Sequence, residues 1–146
     1  MTTDSRRILL CEDDPLDVDL TLRALATLGL DQRVDVVHDG EKALDYLYRR
    51  GAYAERGHGD PAVIVLDIKM PRVSGIDVLK RIKADPQLRL IPVVMLTSSR
   101  EQGDVDASYQ SGSNAYVVKP VDYREFVSAI HTVGTFWASV NQPPRP

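Results

Sequence analysis

Apolar residues fall along this chain in two alternating rhythms. Short runs rich in Val, Ile and Leu read as strands at Ile8 to Cys11, Arg33 to Val37, Val63 to Leu66, Pro92 to Leu96 and Ala115 to Val118. Between them, apolar positions recur at helical spacing. Asp14 caps a first helix with Pro15 in its first turn and Val18, Leu22 and Leu25 on one side, and Gly29 stops it. Asp39 caps a second helix carrying Ala43, Leu44 and Leu47. Ser74 caps a third, with Ile76, Leu79 and Ile82 inward, that stops at Asp85-Pro86. Ser99 and Gln102 are spaced as a capping box for a fourth helix whose apolar face is little more than Val105 and Tyr109, so it should be the loosest. Asp122 and Glu125 make another box for a last helix striped by Phe126, Val127, Ile130, Val133 and Trp137. Gly51 to Asp60 has no periodicity and reads as a surface loop without evident chemistry; from Asn141 the Pro-rich tail, 141–146, reads as irregular.

The central runs do not alternate with polar residues, which is the pattern of parallel strands covered on both faces. Five strands interleaved with five helices predict an α/β fold, a doubly wound five-stranded parallel sheet. With 146 residues, 43% of them hydrophobic, the chain reads as one domain, 1–146, with its core at about 6–138. A net charge of −3 leaves no electrostatic footprint for nucleic acid or an anionic membrane. No stretch approaches the ~20 apolar residues of a membrane span, and Met1 to Arg7 is polar, so a cytoplasmic protein is expected. The single cysteine, Cys11, lies in an apolar run and reads as a buried free thiol. His38, His58 and His131 lack metal-ligand spacing.

Chemistry concentrates where the strands end. Open α/β sheets bind ligands beyond the carboxyl ends of their strands. Glu12 and Asp13 follow the first strand, Asp67 closes the central one, Thr97 the fourth and Lys119 the fifth. Clustered carboxylates repel one another and suit a hard cation, for which Mg²⁺ is the natural candidate. Beside such a metal Asp67 can attack a phosphoryl group, with Lys119 as a point charge and Thr97 as a hydroxyl donor. Taken singly, each has a plainer reading: a solvated turn at Glu12-Asp13-Asp14, a cap at Asp67, a paired lysine at 119, strand filling at Thr97. Their order on successive strand ends favours the joint reading.

The acidic pair Glu12-Asp13, Asp67 with Met70-Pro71 and Gly75 behind it, Thr97-Ser98, and Tyr116-Val117-Val118-Lys119-Pro120 resemble the receiver domain of two-component signalling, the chemotaxis-regulator type of flavodoxin-like fold. The resemblance covers nearly the whole chain. It implies that Asp67 accepts a phosphoryl group from a histidine kinase, that Asp13, Asp67 and the backbone carbonyl of Lys69 bind Mg²⁺, and that Glu12 orients metal waters. It further implies a cis bond before Pro120 and a switching role for Thr97 and Tyr116. The long loop before the central strand and the ending from Phe136-Trp137 to Pro143-Pro144 resemble stand-alone regulators paired with phytochrome-type kinases, such as a bacteriophytochrome. Similar regulators pair through the fourth helix, fifth strand and fifth helix. Phe136 and Trp137 adjoin on the last helix and cannot both face the sheet, so one ring is expected partly outside, covered either by the Pro143-Pro144 tail of the same chain or by a second copy; the resemblance favours the second, a homodimer through that region.

Two rival classes fit less well. A hydrolase or phosphomutase of the haloacid dehalogenase type needs a second acid two residues beyond the nucleophile, where this chain has Lys69, and 146 residues leave little room for a substrate cap. A docking module independent of phosphorylation would not need the acceptor residues, all of which remain. Lys69 itself reads either as a cation that tunes the site or as a solvated lysine.

Overall fold

The computed structural model describes residues 6–57 and 59–144; of the positions discussed above, Met1 to Ser5, His58 and the last two tail residues lie outside the described residues. Five parallel strands, β1 (Ile8–Cys11), β2 (Val34–Val37), β3 (Val63–Leu66), β4 (Val93–Thr97) and β5 (Ala115–Val118), stand in the order β2-β1-β3-β4-β5. Each strand residue sends its side chain to the face opposite its neighbour's. Ile8, Leu10, Val63 and Val65 therefore join one apolar layer and Leu9, Cys11, Ile64 and Leu66 the other. This is why the runs are unbroken, and the predicted doubly wound sheet is the one observed.

The first layer is covered by α1 (Pro15–Ala26) and α5 (Tyr123–Thr135), through Ala24, Leu25, Phe126, Ile130 and Val133. The second is covered by α2 (Gly40–Tyr48) and α3 (Gly75–Ala84), through Ala43, Leu44, Leu47, Val78, Leu79 and Ile82. Asp14, Asp39, Ser74 and Asp122 cap α1, α2, α3 and α5 through their side chains, as the sequence predicts. The fourth helix differs. Glu101 precedes α4 (Gln102–Gln110) without a side-chain cap: Ser99 lies two residues before the cap position, where its Oγ accepts from Glu101 N at 3.3 Å and donates to Asp104 Oδ2 at 2.5 Å. The only buried residue of α4 is Ser108, whose hydroxyl has no hydrogen-bond partner. A helix so poorly anchored is the easiest element of the fold to shift.

Loop 51–60 is better tethered than its composition suggests. A 3₁₀ turn, Gly51–Tyr53, leads to Arg56, whose guanidinium lies 4.2 Å over the Tyr46 ring and donates to Tyr46 O at 3.0 Å. The Tyr46 hydroxyl donates to Asp35 Oδ2, and Arg7 clasps the same carboxylate through Nε and Nη2 at 3.0 and 2.9 Å. Beyond α5 a π-helical turn, Phe136–Val140, leaves Trp137 against the apolar layer and the Phe136 ring 44% exposed. Arg6 Nη1 donates to Ala138 O at 3.3 Å and Asn141 O at 3.5 Å, which ties the tail to the start of β1. Cys11 is buried at 1% exposure, and burial pushes its thiol far above the usual range.

Candidate functional site

Register brings the strand-end residues together. Cys11 stands opposite both Val37 and Leu66, Asp67 N donates to Cys11 O at 3.1 Å, and Lys119 N donates to Thr97 O at 2.8 Å. Glu12, Asp67, Thr97 and Lys119 therefore leave the sheet at the same edge. Ligand oxygens of Glu12, Asp13 and Asp67 lie within 4.8 Å of one another, Asp13 exposed and the other two buried. That donor set is all oxygen and open on one side, which fits a Mg²⁺ ion held by a few carboxylates and several waters. His38 and His131 are elsewhere engaged: His38 Nδ1 lies 3.2 Å from Glu12 O, and His131 Nε2 lies 3.0 Å from Ala24 O.

Lys119 sits at the centre. Its ammonium donates to Glu12 Oε1 at 2.6 Å, Asp17 Oδ2 at 2.8 Å and Asp67 Oδ2 at 3.0 Å, with 9% of the side chain exposed. Desolvation works against the ammonium, but Asp17, Glu12 and Asp67 outweigh it and raise the lysine above its ordinary value. Glu12 shows the opposite balance: burial, helped by the Asp67 charge, lifts its carboxyl to about 7 despite its contact with Lys119.

Thr97 is completely buried behind this cluster, its Oγ1 accepting from Ser99 N at 3.4 Å. Tyr116 is partly buried and donates to Ser99 O at 3.0 Å, so the loop between β4 and α4 is held from the β5 side. Lys69 projects into solvent while its backbone N–H donates to Asp67 Oδ1 at 3.4 Å. Gly75, the first residue of α3, donates its N–H to Ile68 O at 2.8 Å and so fastens α3 beneath Asp67.

Two features depart from expectation. The bond before Pro120 is trans, since no cis peptide occurs among the described residues. Trans is favoured by ~0.5–1 kcal/mol even before proline, and Lys119 reaches both its strand partner and its three carboxylates in that form. The other is Asp17, absent from the sequence-based site. It occupies the first turn of α1, one turn beyond Asp13, and a carboxylate four residues past an acidic strand end is the signal that could have found it.

Fold and site together define a receiver domain of two-component signalling. The chain belongs to that family: the model of the response regulator receiver domain matches residues 8–131. The response regulator Rcp1 of Synechocystis sp. is 35% identical over 130 residues, 89% of this chain and 87% of that protein. Its Mn²⁺-bound form superposes with a TM-score of 0.89 at 33% identity, covering 96% of this chain and 99% of that one. The phosphorylated cyanobacterial phytochrome response regulator RcpA gives 0.89 at 34% identity, over 96% and 99% of the two chains. The bacteriophytochrome response regulator RtBRR is 55% identical with a TM-score of 0.75, over 95% and 84%. Receiver domains take phosphate from histidine kinases and bind Mg²⁺ or Mn²⁺ at an acidic cluster, and the chain carries such a cluster. No helix among the described residues is long and apolar enough to cross a membrane.

Proposed function

We propose that this protein is a phytochrome-type response regulator in which Asp67 accepts a phosphoryl group from a histidine kinase. The observation that carries the reading is the setting of Asp67, 7% exposed at the end of β3, with Lys119 Nζ at 3.0 Å and the Glu12 and Asp13 oxygens within 4.8 Å. A carboxylate oxygen of Asp67 attacks the phosphorus of phosphohistidine, the P–N bond breaks, and the imidazole nitrogen leaves with the electron pair. Asp13, Asp67 and the Lys69 carbonyl would hold Mg²⁺, which supplies charge neutralisation for the incoming phosphoryl oxygens. Lys119 turns an N–H from the acceptor to a phosphoryl oxygen; Glu12 holds Lys119 at 2.6 Å and would orient the metal's waters. Metal-dependent labelling by acetyl phosphate tests the reading.

The signal leaves through Thr97 and Tyr116. Both adjoin Ser99, and Ser99 ties to Asp104 of the weakly seated α4. A contact from Thr97 Oγ1 to a phosphoryl oxygen would draw this loop inward and change the footing of α4. Moving such an element from mostly one state to mostly the other takes ~5 kcal/mol of differential interaction, within reach of several charge-assisted contacts. Thr97→Ala should still be phosphorylated but lose most of the change in amide exchange across Asp104 to Tyr116. The full change in that variant would break the proposed coupling.

The output is a protein contact, and a homodimer through the last helix region fits the exposed aromatic. Phe136 packs edge to face on Trp137 at 4.9 Å, and Val140 beside it is 66% exposed. Residues 141–144 leave Phe136 open, so burying it on a second copy would remove apolar surface worth ~25 cal/mol per Å² from water. Light scattering should show a dimer that Phe136→Ala weakens at least ~tenfold, as expected for an aromatic anchor. A parent that stays monomeric with and without phosphodonor ends this part of the reading.

A further inference from the structure

Lysine ammonium has three N–H donors and no acceptor. On Lys119 all three meet carboxylates, and the bond to Asp67 is the longest, 3.0 Å against 2.6 Å for Glu12 and 2.8 Å for Asp17. Glu12 and Asp67 belong to the cluster that offers oxygens to a cation, whereas Asp17 does not. Asp17 is also held independently of the sheet: its backbone N–H donates to Asp14 Oδ1 at 3.2 Å in the first turn of α1, where the helix favours a negative charge.

We propose that Asp17 is a positioning residue for Lys119: it draws the ammonium toward α1, so that the lysine's charge does not settle on Asp67 and close that carboxylate to the metal and the incoming phosphorus. The inference rests on the phosphoacceptor reading given above. Without the Asp17 charge, Lys119 keeps two carboxylate partners, both inside the metal cluster, and competes with a divalent cation for the same oxygens. With it, one of the three ammonium protons is committed outside the cluster. When the phosphoryl group arrives, Glu12 and Asp17 hold two donors while the third moves from Asp67 to a phosphoryl oxygen.

Calorimetric titration of the metal-free protein with MgCl₂ tests this. Asp17→Asn should bind Mg²⁺ about tenfold more weakly, the low end for a residue that orients a metal site from outside it. Asp19→Asn removes the same charge from the same helix at an exposed position paired with Arg23, and should bind as the parent does. Asp17→Glu, which restores a carboxylate, should recover most of the loss. In a Lys119→Met background Asp17→Asn should no longer weaken binding; an equal loss with and without the lysine means that Asp17 acts directly on the metal and overturns the proposal. Should Lys119→Met fail to fold, the Lys119 ammonium protons decide: in metal-free parent they should give a slowly exchanging ¹⁵N-coupled signal that Asp17→Ala, which leaves no acceptor, removes, and an unchanged signal overturns the proposal. If Asp13→Ala weakens Mg²⁺ binding and Asp17→Asn does not, only this inference falls. If the parent binds no Mg²⁺, or Asp13→Ala binds it unchanged, the reading of the site falls with it.

Discussion

Asp67→Asn should take no label from acetyl phosphate and Mg²⁺, while keeping its fold. The substitution conserves shape and leaves an amide oxygen able to accept from Lys119 Nζ or from Lys69 N, the two donors that now serve the carboxylate. It removes the nucleophile, because an amide oxygen is a far poorer one than a carboxylate. It also removes one charge from a cluster whose remaining acids repel it, so stability at neutral pH should not fall by more than ~1 kcal/mol. Phosphoprotein electrophoresis and thermal melting check both halves. Labelling of the variant to the parent's extent would move the acceptor elsewhere.

Gly75→Ala should damage both stability and phosphorylation from a position with no chemistry of its own. A Cβ built on Gly75 would lie 2.0 Å from Asp67 O and 2.8 Å from Ile68 Cα, both backbone atoms with no rotamer to yield. Either α3 backs away and strains the bond from Gly75 N to Ile68 O, or the end of β3 moves and takes Asp67 out of line with Lys119. Overpacking of this kind costs ~1–3 kcal/mol. A displacement near 1 Å at a reacting group can cost ~100-fold in rate. Gly103→Ala is the control, since a Cβ there meets nothing within 4 Å and the position is helical, so it should be neutral or stabilising. Urea unfolding and the rate of labelling should separate the two variants clearly; equal behaviour would mean that the close approach at Gly75 is accommodated without cost.

What the sequence discloses and what it withholds follow from how far each signal reaches. Strand ends are local: Val63 to Leu66 stops at Asp67, and Ala115 to Val118 stops at Lys119, so the edge can be assembled from the chain order of an α/β fold. The caps at Asp14, Asp39, Ser74 and Asp122 are equally local and stand as predicted. Ser99 fails as a cap because α4 starts only at Gln102, so its hydroxyl accepts from Glu101 N ahead of the first turn and donates to Asp104, five residues on. Asp17 was missed because helix-start reasoning stops at the cap and does not ask which first-turn side chains return to the sheet edge. Tyr46 was missed for a related reason: it shares the buried face of α2 with Ala43 and Leu47, but the partners of its polar end, Asp35 for the hydroxyl and Arg56 over the ring, lie eleven and ten residues away. Each of these depends on a partner that sequence distance conceals.

The lone thiol gives the molecule a chemical clock. Cys11 immediately precedes the acidic pair, its carbonyl accepts from Asp67 N at 3.1 Å, and its side chain is buried in the apolar layer covered by α2 and α3. Only the thiolate attacks an alkylating reagent, and burial holds this thiol protonated and out of reach of solvent. Alkylation of the native protein must therefore wait until the centre of the sheet opens. With no other cysteine to contribute, the rate of that single reaction counts how often the fold releases the sheet edge that carries Asp67, without any label having been added to it.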